Sequence, residues 1–380
     1  MTIHWCGTGL SAIPGLRRLI EDGREVCVWN RTPEKARAAV GDLTDWIEPF
    51  ALGTLQEALN PGDVVVSMLP GDWHVPIAKA CLAEGADFVS SSYISPEMRA
   101  LDGQARDRDL RLVNEVGLDP GIDHLMAHWL VADMKAGGHA VPGAEYSFLS
   151  YCGGVPKEPN AFRYKFSWSP LGVLKALRSP SVSVRDFSTL EVARPWDALT
   201  SYAAPLDPPE TFEVYPNRDS RPFMAEYGFA EDWRVRDFVR GTLRLNGWAE
   251  AWADIFAEVE RLEGEAGEAR LRALSDELWE KHAYAEGEPD RVVLCVALEV
   301  RRDGTPTYHK TYVMDAWGDA RGLAMGRLVS HTVRMAVEAV LDRAIPAGVS
   351  AAPSDPKLVA DWLAQVDVQA QRLAVVDHLA

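Results

Sequence analysis

Between residues 114 and 123 the chain reads Asn-Glu-Val-Gly-Leu-Asp-Pro-Gly-Ile-Asp, directly after the apolar run at 110–113. Three carboxylates, Glu115, Asp119 and Asp123, thus fall within one strand-to-helix turn. Carboxyl groups at such a place can pass protons to and from a substrate, or they can serve the helix start alone. Asp119 followed by Pro120 has the form of an N-cap with proline at the first helical position, so the structural reading stands beside the catalytic one. Asp123, one turn further, complements the helix dipole and reads as structural. Glu115 stays open between the two. His124 and His128 lie four apart on one helical face, but Leu125 stands where a metalloprotease helix carries its glutamate and no third ligand is in view. No metal is expected. No Gly-x-Ser-x-Gly or other nucleophile motif occurs, which argues against acyl-transfer chemistry.

A second constellation opens the chain. Gly7-Thr8-Gly9-Leu10-Ser11-Ala12 fits the pattern G-x-G-x-x-G/A between a short apolar strand and a helical pattern. Gly7 suits the tight turn. Gly9 lets backbone N–H groups of the turn, with Thr8 and Leu10, approach a pyrophosphate at the helix start, and Ala12 allows close packing. The next strand ends Trp29-Asn30-Arg31-Thr32. An NAD site places Asp or Glu there for the ribose 2′-hydroxyl. Asn30, Arg31 and Thr32 suit a 2′-phosphate instead, so NADP is the expected cofactor. Ser67, Leu69 and Ser91 close later strands at the same edge, where ligands bind in such sheets.

These residues need a scaffold, and the first third supplies one. Short β-branched runs alternate with helical patterns, which predicts a parallel sheet covered by helices. From about residue 145 the ladder stops. The stretch SFLSYCGGVP reads as a strand entering a Gly-Gly turn, and residues 291–314 read as a hairpin around Asp303-Gly304. Residues 248–283 look helical, with Trp252, Ile255, Val259 and Leu262 on one apolar face. Residues 320–344 again look helical. The expected fold class is α/β: a Rossmann-type doubly wound parallel sheet with an inserted mixed α/β substrate domain. The expected division is 1–118 for nucleotide binding, 119–319 for substrate and dimerisation, and 320–380 returning to the first domain.

Composition narrows the function classes. A net charge of −17 over 380 residues disfavours nucleic acid and anionic membrane as partners. Five scattered cysteines without a CxxC pair point to reduced thiols and a cytoplasmic setting. No apolar run approaches the ~18–20 residues of a membrane span, and the first residues lack a signal-peptide pattern.

Several longer stretches together resemble the saccharopine reductase family, the NADP-dependent, glutamate-forming saccharopine dehydrogenases of lysine biosynthesis. They are GTGLSAIP, SSSYISPEMRALD, NEVGLDPGIDHL, LSYCGGVP, YKFSWSPLGVLKALR, VYPNRDS and VRGTLR. The resemblance covers roughly residues 1–250, with a looser match at AMGRLV. It implies a Rossmann domain, a mixed α/β substrate domain and a homodimer. It also implies a reaction in which glutamate condenses with 2-aminoadipate 6-semialdehyde to an imine that NADPH reduces to saccharopine. Carried over residue by residue, it gives Tyr93, Asp119 and Cys152 as a polar cluster around the amine nitrogen. Tyr93 and Cys152 are selected by the resemblance alone, since a lone Tyr or Cys is more often packing.

Saccharopine has three carboxylates, and residues 214–245 set six arginines against five acids in a strongly acidic chain. Most of these arginines are expected in surface ion pairs. Arg218 and Arg244, in the matching motifs, are the expected carboxylate binders, with Asn217 and Thr242 beside them. Trp168 is expected either to wall the pocket or to pack in the core. The chain departs from the family pattern at Arg163, where a small residue is expected, at Ser330-His331-Thr332, which replaces a glycine-containing turn, and in about four extra residues before SFLSYC. It also looks shorter, mainly in the acidic helical region. The shorter chain and Arg163 keep open a related opine- or carboxyspermidine-type imine reductase; a non-enzymatic NADP-binding regulator on the same fold is the other alternative, against which the retained Tyr93, Asp119, Cys152 and arginines argue.

Overall fold

The computed structural model describes residues 1–380, and the chain divides into two compact units. The first comprises residues 1–125 with 326–366. Its seven strands are all parallel, in the spatial order 348–350, 111–113, 87–90, 64–67, 3–6, 26–30 and 47–49. Strands Ile3–Cys6, Val64–Ser67 and Asp87–Ser90 are buried along their whole length, as expected of short apolar runs covered on both faces. The strand order reverses between 3–6 and 64–67, which is where α/β sheets open a ligand crevice beyond the strands' carboxyl ends.

Helix Ile13–Glu21 follows the glycine turn, and helix Ala324–Leu341 brings its residues from 326 onward back to this unit. The two meet where neither has room for more. A Cβ on Gly15 would lie 2.0 Å from the carbonyl oxygen of Ser330, whose hydroxyl accepts the Gly15 N–H at 2.8 Å. Residues 330–332, read as a replaced turn, are therefore helix interior. Ser330 and Thr332 donate back to the carbonyls of Gly326 and Leu328, a pairing that lets hydroxyl residues persist in a helix.

The second unit comprises residues 126–325 with 367–380. Its sheet runs 200–204, 210–216, 234–245, 145–156, 290–302, 305–317 and 372–377, with the hairpin 181–185/188–192 joined to 234–245. Only the pairing of 145–156 with 234–245 is parallel. Asp303 (φ 49°) and Gly304 (φ 78°) turn the predicted hairpin, as a two-residue loop of the I′ type requires. Trp252 and Val259 are buried in one core with Tyr164, Trp248 and Phe256, and Ile255 and Leu262 pack against it.

Three expectations fail on physical grounds. Gly153-Gly154 does not turn: strand Glu145–Pro156 runs straight through it, paired with Val293 and Val292, and glycine is needed at 153 because a Cβ there would press within 2.1 Å of the Leu243 carbonyl. Asp119 is not the N-cap, since the helix begins at Ile122 after a tight fold-back in which the Gly117 N–H donates to the Pro120 carbonyl. The span 320–380 does not return whole to the first unit. Residues 372–377 (RLAVVD) pair with 310–315 of the second, the β-rich sequence having found a strand edge.

Because the clash at Gly15 is with backbone, Gly15→Ala should destabilise the protein by at least about 2 kcal/mol in urea unfolding. Gly9→Ala, where an added Cβ meets no protein atom within 4 Å, should leave stability within about 0.5 kcal/mol.

Candidate active site

The turn after strand Ile3–Cys6 begins at Gly7 (φ 101°), where a Cβ would lie 2.9 Å from the Met68 carbonyl. The protein's own packing thus demands glycine at 7 but not at 9, so open approach to the backbone is what Gly9 preserves. Leu10 is half exposed and Ala12 buried. The amide nitrogen of Asn30 donates to the Thr8 hydroxyl, and its oxygen accepts the Thr32 N–H at 3.0 Å. Asn30 therefore ties the second strand end to the glycine turn, and exposed Arg31 is the cation presented there. Leu69 packs beside Gly7 and Ser91 beside Met68. Ser67 is fully buried and its hydroxyl meets His74 Nδ1 at 2.9 Å.

Around residue 93 the same edge is drawn together. The Tyr93 hydroxyl donates to Asp119 Oδ1 at 3.2 Å. Glu115, buried and held at φ 56°, sits beneath. Its N–H donates to the Ser92 carbonyl (3.0 Å), while Oε1 accepts the Ile94 N–H (2.8 Å) and Oε2 lies 2.9 Å from His124 Nε2. Asp123 accepts the Gly121 N–H at 2.7 Å and is wholly buried, the structural place expected of it. Gly121 (φ 147°) has room for no side chain, since its Cβ would fall 2.1 Å from the Gly117 carbonyl oxygen. No group of three or more His, Cys, Asp or Glu is placed to hold a metal. His128 lies edge-on to Tyr227.

In the second unit, neighbouring strands bring Tyr215, Thr242 and Cys152 into one cross-strand row. Residues opposite each other share a face, so these side chains line one side of the sheet, and Arg244 follows two residues after Thr242 on that side. Arg244 is only 6% exposed and forms no ion pair. Its guanidinium carbon lies 4.8, 5.5 and 5.7 Å from the ring centres of Tyr164, Trp248 and Tyr215, and its Nε has no hydrogen-bond partner. Burial pushes the Tyr215 hydroxyl's pKa up, opposed by the neighbouring Arg244. A buried arginine without an acid is costly unless an anion completes it. Arg221, Arg234 and Arg236 instead pair at the surface with Asp219, Glu145 and Asp186.

Arg218 is exposed at φ 55°, its carbonyl accepting the Val182 N–H, and the Asn217 N–H donates to the Arg240 carbonyl. Trp168 is 39% exposed and so is not core. Gly172 makes room for it, since a Cβ there would be 2.5 Å from the indole, and Ser169 caps the helix that carries Gly172. The guanidine Nε of Arg163 lies 3.5 Å from the Cβ position of Gly247.

Two contributors escaped the sequence reading. His74 bridges Ser67 to Ser92, its Nε2 2.8 Å from the Ser92 hydroxyl. A histidine opening a helix just beyond a strand's carboxyl end was the available signal. The aromatic wall of Tyr164 and Trp248 around Arg244 had none, because it depends on long-range packing.

A parallel sheet with a Gly-x-Gly turn at its switch point defines a Rossmann-type dinucleotide-binding protein. Residues 6–113 match the saccharopine dehydrogenase NADP binding domain, and residues 117–369 match the saccharopine dehydrogenase C-terminal domain. The chain belongs to the saccharopine dehydrogenase family, and its cofactor is NADP. It is 37% identical over 253 residues to saccharopine dehydrogenase [NADP(+), L-glutamate-forming] of Pyricularia oryzae, covering 64% of this chain and 54% of that one. To the Saccharomyces cerevisiae enzyme of the same name it is 37% identical over 223 residues, covering 57% and 47%. In sequence the chain thus spans about half the length of the curated relatives it matches. The apo L-Glu-forming saccharopine dehydrogenase structure from Saccharomyces cerevisiae superposes with a TM-score of 0.80 at 25% identity, covering 99% of both chains.

Burial pushes the His74 pKa down to about 4, against a small opposing pull from Asp72. The unfolded value is about 6.5, so His74's contribution to stability is full above that pH and is lost as pH falls toward 4, about 3 kcal/mol in all. Denaturant titrations at pH 7.5 and pH 4 should show the wild type losing about that much more than His74→Gln. Equal losses would contradict the assignment.

Proposed function

We propose that the protein is an NADP-dependent oxidoreductase acting on a CH–NH bond, interconverting saccharopine with L-glutamate plus 2-aminoadipate 6-semialdehyde, as a cytoplasmic homodimer. The observation that carries the reading is the Tyr93–Asp119 hydrogen bond at the carboxyl edge of the parallel sheet, its two residues lying within the two segments matched to the family. Five free, buried cysteines suit a reducing compartment, and no helix is long and apolar enough to cross a membrane.

The cofactor's needs fit the residues present: the backbone of Gly7–Leu10 faces a pyrophosphate, and Arg31 answers a 2′-phosphate. When bound, NADPH supplies the hydride. The chain's own part is to hold substrate and move protons. Imine formation requires water to leave a carbinolamine, and reduction leaves an amine that takes up a proton. A hydroxyl bonded to a carboxylate, as in Tyr93–Asp119, can give and regain a proton at that nitrogen. Cys152 and Thr242 form the corresponding polar row of the second unit. Arg244 and Arg218, with Asn217 alongside, bind carboxylates, and Trp168 walls the substrate. Arginine's planar fork fixes a carboxylate's orientation as well as its charge.

Following NADPH oxidation with 2-aminoadipate 6-semialdehyde plus glutamate tests the reading, with lysine and polyamines as alternative amines. Turnover only with another amine would replace saccharopine by a different imine product, and none with any amine would leave an NADP-binding regulator. Arg31→Ala should raise KM for NADPH about tenfold or more and leave that for NADH within about twofold. Equal effects would refute the 2′-phosphate role. Arg244→Leu should raise KM for the amino-acid substrate at least tenfold with NADPH affinity unchanged, as measured by steady-state kinetics and fluorescence titration.

A further inference from the structure

Tyr93 stands on a stretch of backbone that has left its strand. Strand Asp87–Ser90 ends three residues earlier, and helix Pro96–Arg99 begins three residues later. Residues 91–95 therefore have no ladder to hold them, yet the tyrosine hydroxyl must stay within hydrogen-bond reach of Asp119. Two buried side chains from other elements grip this stretch. Glu115 holds the backbone on both sides of Tyr93, donating its N–H to the Ser92 carbonyl and accepting the Ile94 N–H on its carboxylate. His74 holds the side chain of Ser92 and is itself fixed by Ser67, at 2.8 and 2.9 Å. The Ser92 N–H is also spent, on the Ser90 hydroxyl at 3.1 Å.

We propose that Glu115 and His74 are positioning residues for the reaction: together they clamp residues 92–94 and so set the Tyr93 hydroxyl against Asp119. The assignment rests on the reading of Tyr93 and Asp119 given above. Neither residue needs to touch substrate. Glu115 is the closer support, because its two bonds flank the Tyr93 Cα. His74 is the anchor that stops Ser92 from rotating. A misplacement of about 1 Å in a group that hands over a proton costs roughly a hundredfold in rate, so weakening either grip is read in kcat.

The test uses the full-length enzyme saturated with NADPH. Ser92→Ala removes the His74 grip without disturbing a buried ring, and Glu115→Gln keeps an acceptor for the Ile94 N–H. Ser92→Ala should lower kcat about tenfold with KM for NADPH within about twofold, and Ser92→Thr, which restores a hydroxyl, should recover most of the loss. Glu115→Ala should lower kcat about a hundredfold and Glu115→Gln by about tenfold or less. In a Tyr93→Phe background Ser92→Ala should cost almost nothing further, since the grip acts through Tyr93. A full, additive loss there would overturn the proposal, as would a loss confined to KM for NADPH. An unchanged kcat in Tyr93→Phe alone would instead remove Tyr93 from the chemistry. A readout independent of turnover is ¹⁹F NMR of 3-fluorotyrosine at position 93. One sharp resonance in the wild type should broaden or divide in Ser92→Ala, and an unaltered line would also overturn the clamp.

Discussion

The site depends on a buried carboxylate being fully used. Glu115 sits in the left-handed region, where non-glycine residues are uncommon, and is almost completely shielded from water. A carboxylate there is tolerable only if its oxygens are bonded. The Ile94 N–H and His124 Nε2 meet that demand, and the Glu115 N–H closes on Ser92. These partners belong to the loop after strand Asp87–Ser90, the turn after strand Arg111–Val113, and the helix from Ile122. Satisfying one acid therefore fixes three segments at the sheet's carboxyl edge. The close pair Gly117 and Gly121 belongs to the same constraint, because it lets the chain fold back and deliver Asp119 toward Tyr93.

The second unit solves an opposite problem. It buries a cation in an otherwise acidic protein without giving it an acid. Aromatic faces around Arg244 recover part of the lost hydration through cation–π attraction, which reaches about 2 kcal/mol where desolvated. One guanidinium N–H donates to the Leu243 carbonyl at 3.3 Å, while Nε has no partner in the protein. Phase-matched strands do the rest: Tyr215, Thr242 and Cys152 share a face because register, once set by the apolar residues of the opposite face, sets every side chain.

Much of this was legible in the chain. Strand–helix alternation gave the parallel sheet, Asp303-Gly304 the hairpin, and Trp252 with Val259 a real apolar face. The misreadings share a cause. Asp119-Pro120 has the local form of a helix cap and Gly153-Gly154 that of a turn, but tertiary contacts decide both places. Ladder pairing with strand 290–302 keeps Gly153 and Gly154 extended, and the backbone fold-back at Gly117 and Pro120 delays the helix to Ile122. The place of His74, at a helix start just beyond a strand's carboxyl end, is legible, but the grip that it and Glu115 exert on residues 92–94 is not. The side-chain bonds to the 92–94 stretch span 18 residues from His74 and 21 from Glu115, and nothing local signals such a bond.

The choice of histidine at 74 follows from what the edge must avoid. A phosphate-bearing cofactor and a carboxylate such as Asp119 make this edge sensitive to added charge. Lysine or arginine would bring a permanent one, and an aliphatic side chain would leave the buried Ser67 hydroxyl and the half-buried Ser92 hydroxyl without this partner. A neutral imidazole engages both Ser67 and Ser92 and adds no charge. Burial keeps it neutral down to about pH 4, well below neutrality. The bridge between Ser67 and Ser92 therefore keeps one charge state across the neutral range, so its geometry does not change with pH there.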